Sequence, residues 1–203
     1  MNELMDELIA TGYLKTPRII EAFRKVDRKN FVPSELSKEA YANYPLPIGS
    51  GQTISQPLVV AFMLEMLQAR PGEEILEVGS GSGWQTALLA ELVGPGGKVV
   101  AVERLPELVA MAEVNLKPYK YRQVYLIEGD GSRGYAAEAP YDKIIAAATA
   151  RETPAAWREQ LKPGGTMVFP RRTSIWQIIK NKSGEWSEKE YPGFVFVPLI
   201  END

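Results

Sequence analysis

Short apolar runs alternate with amphipathic stretches along most of the chain. Five of the runs have the length of strands, and most are separated by stretches whose apolar residues recur at helical spacing. The apolar runs lie at 75–78, 98–103, 123–128, 143–147 and 166–170, and the helical stretches lie at 58–67, 85–93, 106–116 and 154–161. This alternation predicts an α/β fold built on a doubly wound, mostly parallel sheet.

The two ends of the chain have other patterns. Residues 2–32 carry apolar residues at helical spacing on either side of Gly12, which predicts two helices packed on the core. Residues 42–57 are rich in proline, glycine and hydroxyl side chains, so we expect a long functional loop without a regular element. Residues 176–180 and 194–200 predict an antiparallel pair of strands at the edge of the sheet.

The loop after the first strand of the alternating region carries the strongest chemical signal. Its sequence, Gly79-Ser80-Gly81-Ser82-Gly83, follows the strand that contains Glu77 and precedes a helix. Strand, glycine-rich turn and helix N-terminus together form the nucleotide site of many open α/β sheets. A dinucleotide fingerprint would place its third glycine where Trp84 stands. The spacing therefore favours an S-adenosylmethionine loop over an NAD loop, and an ordinary turn remains the structural alternative.

Two acidic residues follow the next two strands. Glu103 ends the second strand about 20 residues after the glycine loop, where an acid commonly binds the ribose hydroxyls of a nucleoside. Asp130 lies between glycines after the third strand and could accept a hydrogen bond from an adenine amine. The alternatives are a surface carboxylate paired with Arg104 for Glu103, and a plain turn residue for Asp130.

Composition narrows the chemistry. The 203 residues carry a net charge of −3, which does not favour general nucleic-acid binding, and no apolar run reaches the ~20 residues of a membrane helix. The chain has neither cysteine nor histidine, which excludes thiolate nucleophiles, metals held by either residue, and Ser-His-Asp catalysis. The acidic start lacks the features of a signal peptide, so we expect a cytoplasmic protein, away from membranes and without a metal site.

Several motifs together resemble one family, protein-L-isoaspartate (D-aspartate) O-methyltransferase. They are PLPIGSGQTISQP at 45–57, EVGSGSG at 77–83, Glu103-Arg104, GDG at 129–131, LKPGG at 161–165 and FVPLI at 196–200. The resemblance covers nearly the whole chain, and GQTISQP is its most specific part. It implies a Rossmann-like S-adenosylmethionine-dependent methyltransferase with a seven-stranded sheet, an N-terminal helical addition and an antiparallel C-terminal edge pair.

The resemblance also implies a set of site residues. It assigns Ser55 to catalysis, although a hydroxyl that caps the following helix is the alternative for this residue. The cofactor would contact Gln52, Thr53, Ile54, Glu77, Gly79, Ser80, Gly81, Ser82, Gly83, Glu103, Arg104, Gly129, Asp130 and Gly131. The substrate would contact Thr53, Ile54, Ser55, Val197, Pro198 and Leu199. The chain departs from the family at Arg151, Arg171 and Arg172, which are either surface charges or selectors of an acidic substrate.

The implied reaction transfers a methyl group from S-adenosylmethionine to the side-chain carboxylate of isoaspartyl residues in damaged proteins. A carboxylate is already ionised at pH 7, so the reaction needs no general base and suits a chain without histidine. We expect one domain at 1–203, divided into a helical addition and substrate loop (1–57), a cofactor core (58–170) and C-terminal strands (171–203), and a monomer. The alternatives are a methyltransferase for another carboxylate, a nucleic-acid base methyltransferase, a nicotinamide dehydrogenase and a non-catalytic binding module.

Overall fold

The computed structural model describes residues 2–200, which form six α-helices, nine strands and several short 3₁₀ turns. The helices are α1 (Asn2–Ala10), α2 (Pro17–Lys25), α3 (Pro57–Leu67), α4 (Trp84–Val93), α5 (Pro106–Leu116) and α6 (Ala155–Gln160). The strands are β1 (Leu46–Gly49), β2 (Gln52–Ile54), β3 (Glu74–Val78), β4 (Lys98–Glu103), β5 (Val124–Glu128), β6 (Tyr141–Ala146), β7 (Leu161–Arg171), β8 (Ser174–Lys180) and β9 (Trp186–Pro192).

Seven of the strands form the central sheet, in the order β5-β4-β3-β6-β7-β8-β9. The first five of these are parallel to one another, whereas β8 and β9 are added as antiparallel strands. The direction of the crossovers reverses between β3 and β6, and this reversal marks the ligand crevice of an open α/β sheet. The predicted doubly wound, mostly parallel sheet with an antiparallel edge pair is confirmed.

The N-terminal helices cover one side of the sheet. Helix α4 is buried almost all round, since α2 packs over the surface that faces away from the strands. Phe23 of α2 meets the ring of Trp84 edge-on at 5.6 Å between centroids. Phe23 and Trp84 both belong to the main core, where full burial of one large apolar side chain stabilises a fold by about 1.5–3 kcal/mol. The two predicted N-terminal helices are confirmed.

The segment 42–57 contains regular structure, so the prediction of an irregular loop was wrong. Strands β1 and β2 pair antiparallel, and Ser50 and Gly51 turn the chain with positive φ angles of 50° and 70°. Leu46 and Ile48 are buried while the residues between and after them are exposed, which is the period of two that defines a strand. Proline does not prevent this pairing because Pro47 lies in a two-stranded hairpin, where one edge of each strand needs no partner.

The second strand of the C-terminal pair lies earlier than predicted. Strand β9 is formed by Trp186–Pro192, and residues 194–200 form no strand. The charged residues of β9 concealed it, because an edge strand with one solvated face shows little apolar alternation. Residues 194–200 instead cross the end of the sheet, where Thr149 donates its N–H to the carbonyl of Val197 at 2.8 Å and accepts the N–H of Leu199 at 2.9 Å. Within residues 2–200, no helix is both long and apolar enough to span a bilayer.

Candidate active site

A cavity of about 200 Å³ opens at the carboxyl ends of the parallel strands. Val78 pairs with Val102 on one side and with Ala146 on the other, so β3, β4 and β6 end at the same edge of the sheet. Three parts of the chain meet there: the strand ends with their loops, the hairpin β1–β2 and the C-terminal segment. The lining residues are Ser50, Gln52, Thr53, Val78, Gly79, Gly81, Glu103, Arg104, Leu105, Leu108, Ala147, Ala148, Val197, Pro198, Leu199 and Ile200.

The glycine loop brings bare backbone to the cavity. Gly79 and Gly81 have φ angles of 83° and 54°, a region that residues with a β-carbon rarely adopt. The N–H of Gly79 donates to the carbonyl of Val102 at 2.8 Å, which fixes the loop to the neighbouring strand. Gly83 then caps α4 without any side-chain hydrogen bond. The positive end of the α4 dipole therefore begins directly after the loop, as an anion-binding site requires.

Glu103 lines this cavity at the tip of β4, as predicted. Its side chain is only 7% exposed, and its carboxylate accepts the N–H groups of Gly81 at 3.0 Å, Arg104 at 2.8 Å and Leu105 at 3.1 Å. These three donors fix the orientation of the carboxylate and connect the end of β4 to the glycine loop. An acid held in this way at the end of the second strand fits the predicted contact with ribose hydroxyls.

Glu77 lies in β3 behind the loop and lines neither this cavity nor the smaller one described below. The side chain is fully buried, and its two oxygens accept hydrogen bonds from Gln85 at 3.0 Å and from the hydroxyl of Thr86 at 2.5 Å. Burial raises the pKa of Glu77 to about 7; the two hydrogen bonds lower it in part, and the charge of Glu103 raises it further. Glu77 thus ties the strand to the first turn of α4.

Asp130 and its flanking glycines also lie outside the lining of the cavity. The Asp130 carboxylate accepts the backbone N–H of Ser132 at 2.9 Å and its hydroxyl at 2.6 Å, and it lies 3.6 Å from the guanidinium of Arg133. This is the geometry of the turn alternative, and a contact between Asp130 and adenine stays a prediction. Gly131 packs so tightly against Val78 that a β-carbon would overlap the valine side chain.

A second, smaller cavity of about 40 Å³ adjoins the first and contains Ser55. The two cavities share Thr53, Gly79, Gly81 and Ala147. The remaining lining residues of the smaller cavity are Ile54, Ser55, Val60, Ser80, Ser82, Trp84 and Gln85. The predicted catalytic residue therefore lies next to the predicted cofactor loop, although 24 residues of sequence or more separate the two.

The hydroxyl of Ser55 does not cap α3. Gln56 occupies the N-cap position and makes no side-chain capping bond, and the Ser55 hydroxyl has no hydrogen-bond partner among residues 2–200. Two further polar atoms at this cavity, Ser80 Oγ and Trp84 Nε1, are buried without a partner in the described part of the chain. A buried polar atom without a partner costs about 1–3 kcal/mol, so this wall of the site has hydrogen-bonding capacity for a ligand.

The C-terminal segment and several unpredicted residues complete the larger cavity. Val197, Pro198 and Leu199 line it as predicted, held by the two hydrogen bonds to Thr149. Sequence analysis missed an apolar group at the cavity: Leu105, Leu108, Ala147 and Ala148. Their positions just after β4 and β6 were the available signal, because the loops that follow parallel strands line the crevice of such a sheet.

Two of the three arginines that depart from the family pattern, Arg171 and Arg172, have partners outside the cavities. Arg171 lies 3.6 Å from the centre of the Trp176 ring and bonds Thr153 and Glu188. Arg172 pairs with Glu152 at 2.6 Å, with both side chains largely exposed. Neither Arg171 nor Arg172 lines the two cavities, and the same holds for Arg151. This arrangement favours the interpretation of these residues as surface charge.

The strand order, the glycine loop and the acid after β4 define a class, the Rossmann-like methyltransferases. The crystal structure of a Plasmodium falciparum protein-L-isoaspartate O-methyltransferase, in complex with S-adenosyl-L-homocysteine, has the same fold: the TM-score is 0.88 at 24% identity, with 98% of each chain covered. Within this class, the family model described as Protein-L-isoaspartate(D-aspartate) O-methyltransferase matches residues 1–203. The chain belongs to this family.

Two relatives support the assignment over nearly the full length of the chain. The protein-L-isoaspartate O-methyltransferase of Methanopyrus kandleri is 48% identical over 202 residues, covering 97% of this chain and 89% of the relative. The protein of the same name from Ignicoccus hospitalis is 48% identical over 206 residues, covering 99% and 97%. The family suggested by the sequence motifs is thus confirmed.

Proposed function

We propose that this protein transfers a methyl group from S-adenosylmethionine to the free carboxylate that branches from the chain at L-isoaspartyl residues in damaged proteins and peptides. One observation carries the proposal. The cavity at the end of the sheet joins a nucleoside-type half, formed by the glycine loop and Glu103, to a second half formed by β1–β2 and residues 197–200. An enzyme that brings a nucleotide-like donor to a peptide needs both halves in one opening.

The residues present fit the donor. Glu103 offers a fixed carboxylate for ribose hydroxyls, Leu105 and Leu108 offer an apolar wall for a base, and the glycine loop itself carries the unpartnered hydroxyl of Ser80. When bound, S-adenosylmethionine supplies an activated methyl group on a sulfonium. The chain therefore needs to contribute position and exclusion of water more than chemical activation.

The substrate carboxylate needs orientation and no base. It is ionised at neutral pH, and a strong cationic partner would reduce its nucleophilicity. The hydroxyls of Thr53 and Ser55 on the hairpin are neutral donors, and no arginine or lysine other than Arg104 lines either cavity within residues 2–200. We assign to Ser55 the orientation of the carboxylate, and to Val197, Pro198 and Leu199 the binding of the peptide next to it.

Methyl transfer from labelled S-adenosylmethionine to a matched pair of peptides tests this proposal. The peptides differ only in whether one aspartate is joined to the next residue through its β-carboxyl group (isoaspartyl), which leaves its α-carboxylate free, or through its α-carboxyl group. We expect the isoaspartyl peptide to be methylated at least a hundredfold faster, measured as kcat/KM. A preference for the aspartyl peptide, or no transfer to either, would contradict the proposal.

The same sample distinguishes the other classes. Binding of S-adenosylhomocysteine should raise the thermal unfolding midpoint, whereas NAD at equal concentration should leave it unchanged. A shift with NAD alone would indicate a dehydrogenase, and a shift with S-adenosylhomocysteine but no transfer to peptides would indicate a binding module or another acceptor.

The absence of cysteine and the net charge of −3 support two accompanying proposals, a cytoplasmic location and action on proteins rather than nucleic acids. We also propose that the chain acts as a monomer.

A further inference from the structure

Arg28 is a fully buried arginine without a carboxylate partner. It begins the 3₁₀ turn Arg28–Phe31 that follows α2, its relative exposure is 0%, and it forms no ion pair within residues 2–200. Burial lowers the pKa of Arg28 to about 10, so the guanidinium remains charged at neutral pH. Burying a charge is costly unless hydrogen bonds compensate for the lost water; Nε of Arg28 is buried without a partner among the described residues, and the acceptors of the two terminal nitrogens show what the residue holds.

Four backbone carbonyls accept hydrogen bonds from the guanidinium. One terminal nitrogen donates to Ala40 at 2.8 Å and to Ala42 at 3.4 Å, and the other donates to Tyr44 and to Ser55, both at 3.1 Å. Tyr44 lies just before β1 and Ser55 lies just after β2. A single planar group thus joins the chain that enters the hairpin to the chain that leaves it.

The same guanidinium contacts the first residue of α4. Its central carbon lies 5.3 Å from the centre of the Trp84 ring, a distance at which a cation is attracted to an aromatic face. Trp84 and Ser55 both line the smaller cavity. Arg28 therefore connects the base of the hairpin to the helix that follows the glycine loop, and it does so without lining either cavity.

We infer that Arg28 is a positioning residue, which sets the location of Ser55 relative to the glycine loop through the Ser55 carbonyl and the base of the hairpin. The inference rests on the proposed function, in which Ser55 orients the substrate carboxylate. A lysine cannot substitute, because its single ammonium cannot reach carbonyls spread around a planar fork while also stacking on Trp84. The role is confined to geometry, since Arg28 lines neither cavity.

Arg28→Lys tests the inference in the full chain. We expect kcat for the isoaspartyl peptide to fall at least tenfold, while the dissociation constant for S-adenosylhomocysteine changes less than threefold because Glu103 and the glycine loop are intact. Amide hydrogen exchange over 46–54 should become faster in the variant, because the two ends of the hairpin are no longer joined. Arg28→Gln, which has one planar amide and no charge, should give the same separation between kcat and cofactor affinity.

Leu14→Ala is the matched control for a loss of stability alone. Leu14 is fully buried in the same N-terminal region, and its side chain makes no hydrogen bond to the hairpin. We expect Leu14→Ala to lower the unfolding midpoint while leaving kcat per folded molecule and exchange over 46–54 near wild type. Equal kcat in Arg28→Lys and Leu14→Ala, unchanged exchange over 46–54 in Arg28→Lys, or failure of both Arg28 variants to fold would each overturn the inference. If the wild type methylates no peptide, the proposed function fails, while the exchange comparison still tests whether Arg28 holds the hairpin.

Discussion

Ser55 presents two different groups to its surroundings, and both suit the role that we propose for it. Its backbone carbonyl is held by Arg28 at 3.1 Å, while its hydroxyl lines the smaller cavity without a partner among residues 2–200. The backbone is therefore fixed and the side chain is available. A donor with a fixed backbone loses little entropy when it binds substrate, which is the physical basis of preorganisation.

Ser55→Ala should lower kcat on an isoaspartyl peptide by tenfold or more, because removal of one oriented donor weakens the alignment of the carboxylate. The dissociation constant for S-adenosylhomocysteine should remain within about twofold. Steady-state kinetics and calorimetry measure the two effects. Ser187→Ala, at an exposed position on β9, is the control and should match wild type. A kcat for Ser55→Ala within a few-fold of wild type would refute the catalytic assignment.

Glu77 makes the stability of the fold depend on pH. Its pKa is about 7 in the folded protein and near 4.5 when exposed, so between these values the folded state binds more protons than the unfolded state. The free energy of unfolding therefore falls as the pH rises from about 4.5 to 7. The stability that protonated Glu77 contributes is lost above that range. One pKa unit corresponds to about 1.4 kcal/mol, so the largest loss is about 3 kcal/mol.

Glu77→Gln removes this titration; the new amide oxygen can accept from Gln85, while its NH2 group donates to the Thr86 hydroxyl, which reverses that hydrogen bond. We expect the variant to gain stability relative to wild type between pH 5 and pH 8, by about 2–3 kcal/mol in urea unfolding. Glu113→Gln, on the exposed face of α5, should show no such pH-dependent difference. A constant difference between Glu77→Gln and wild type across this pH range would show that Glu77 is already ionised at pH 5.

At the scale of elements, the hairpin β1–β2 depends most on its surroundings. Strands of four and three residues are marginal alone, so its stability comes from the burial of Leu46, Ile48 and Ile54 against the core and from the hydrogen bonds of Arg28. Ile48 also packs near the glycine loop, where a β-carbon on Gly81 would lie 3.3 Å from its Cδ1 atom. The order of the hairpin therefore depends on the core that its buried side chains contact and on the hydrogen bonds of Arg28.

Binding of S-adenosylhomocysteine should slow amide hydrogen exchange over 46–54, because the hairpin residues Ser50, Gln52 and Thr53 line the cavity that we assign to the cofactor. We expect protection to rise at least fivefold. Strands β8 and β9 serve as an internal control, since they lie at the far edge of the sheet and should not change. Equal exchange over 46–54 with and without the ligand would contradict the assignment of the hairpin to the cofactor cavity.

On the scale of the whole molecule, the site is assembled from segments far apart in sequence. The hairpin, the ends of β3, β4 and β6, and residues 197–200 all meet at the point where the strand order reverses. The N-terminal layer buries α4. The 3₁₀ turn that follows α2 supplies Arg28, whose guanidinium binds the base of the hairpin. The N-terminal helices therefore complete the core and also support the site.

Sequence patterns predicted most of the alternating core to within two residues, but β7 begins at Leu161 and not at the predicted residue 166, so the predicted turn at 162–165 was wrong. Strand β4 and helix α5 have the predicted bounds because proline, glycine and uninterrupted apolar runs mark their ends locally. The errors fall where local signals conflict with tertiary context. Proline and glycine made β1 and β2 look irregular, and surface charge made β9 look like a loop. These three strands are stabilised by neighbours that are distant in sequence, so a local window does not show them.

The sequence by itself determined the fold class, the glycine loop, Glu103 as the acid at the end of β4, and the absence of histidine and cysteine chemistry. Each of these depends on residue types and short spacings. Only the tertiary structure decided that Ser55 lies beside the glycine loop, that Glu77 is buried behind it, and that Arg28 holds the hairpin. These facts depend on long-range contacts, and burial changes the energy of a charge or a polar group in ways that its neighbours in sequence do not reveal.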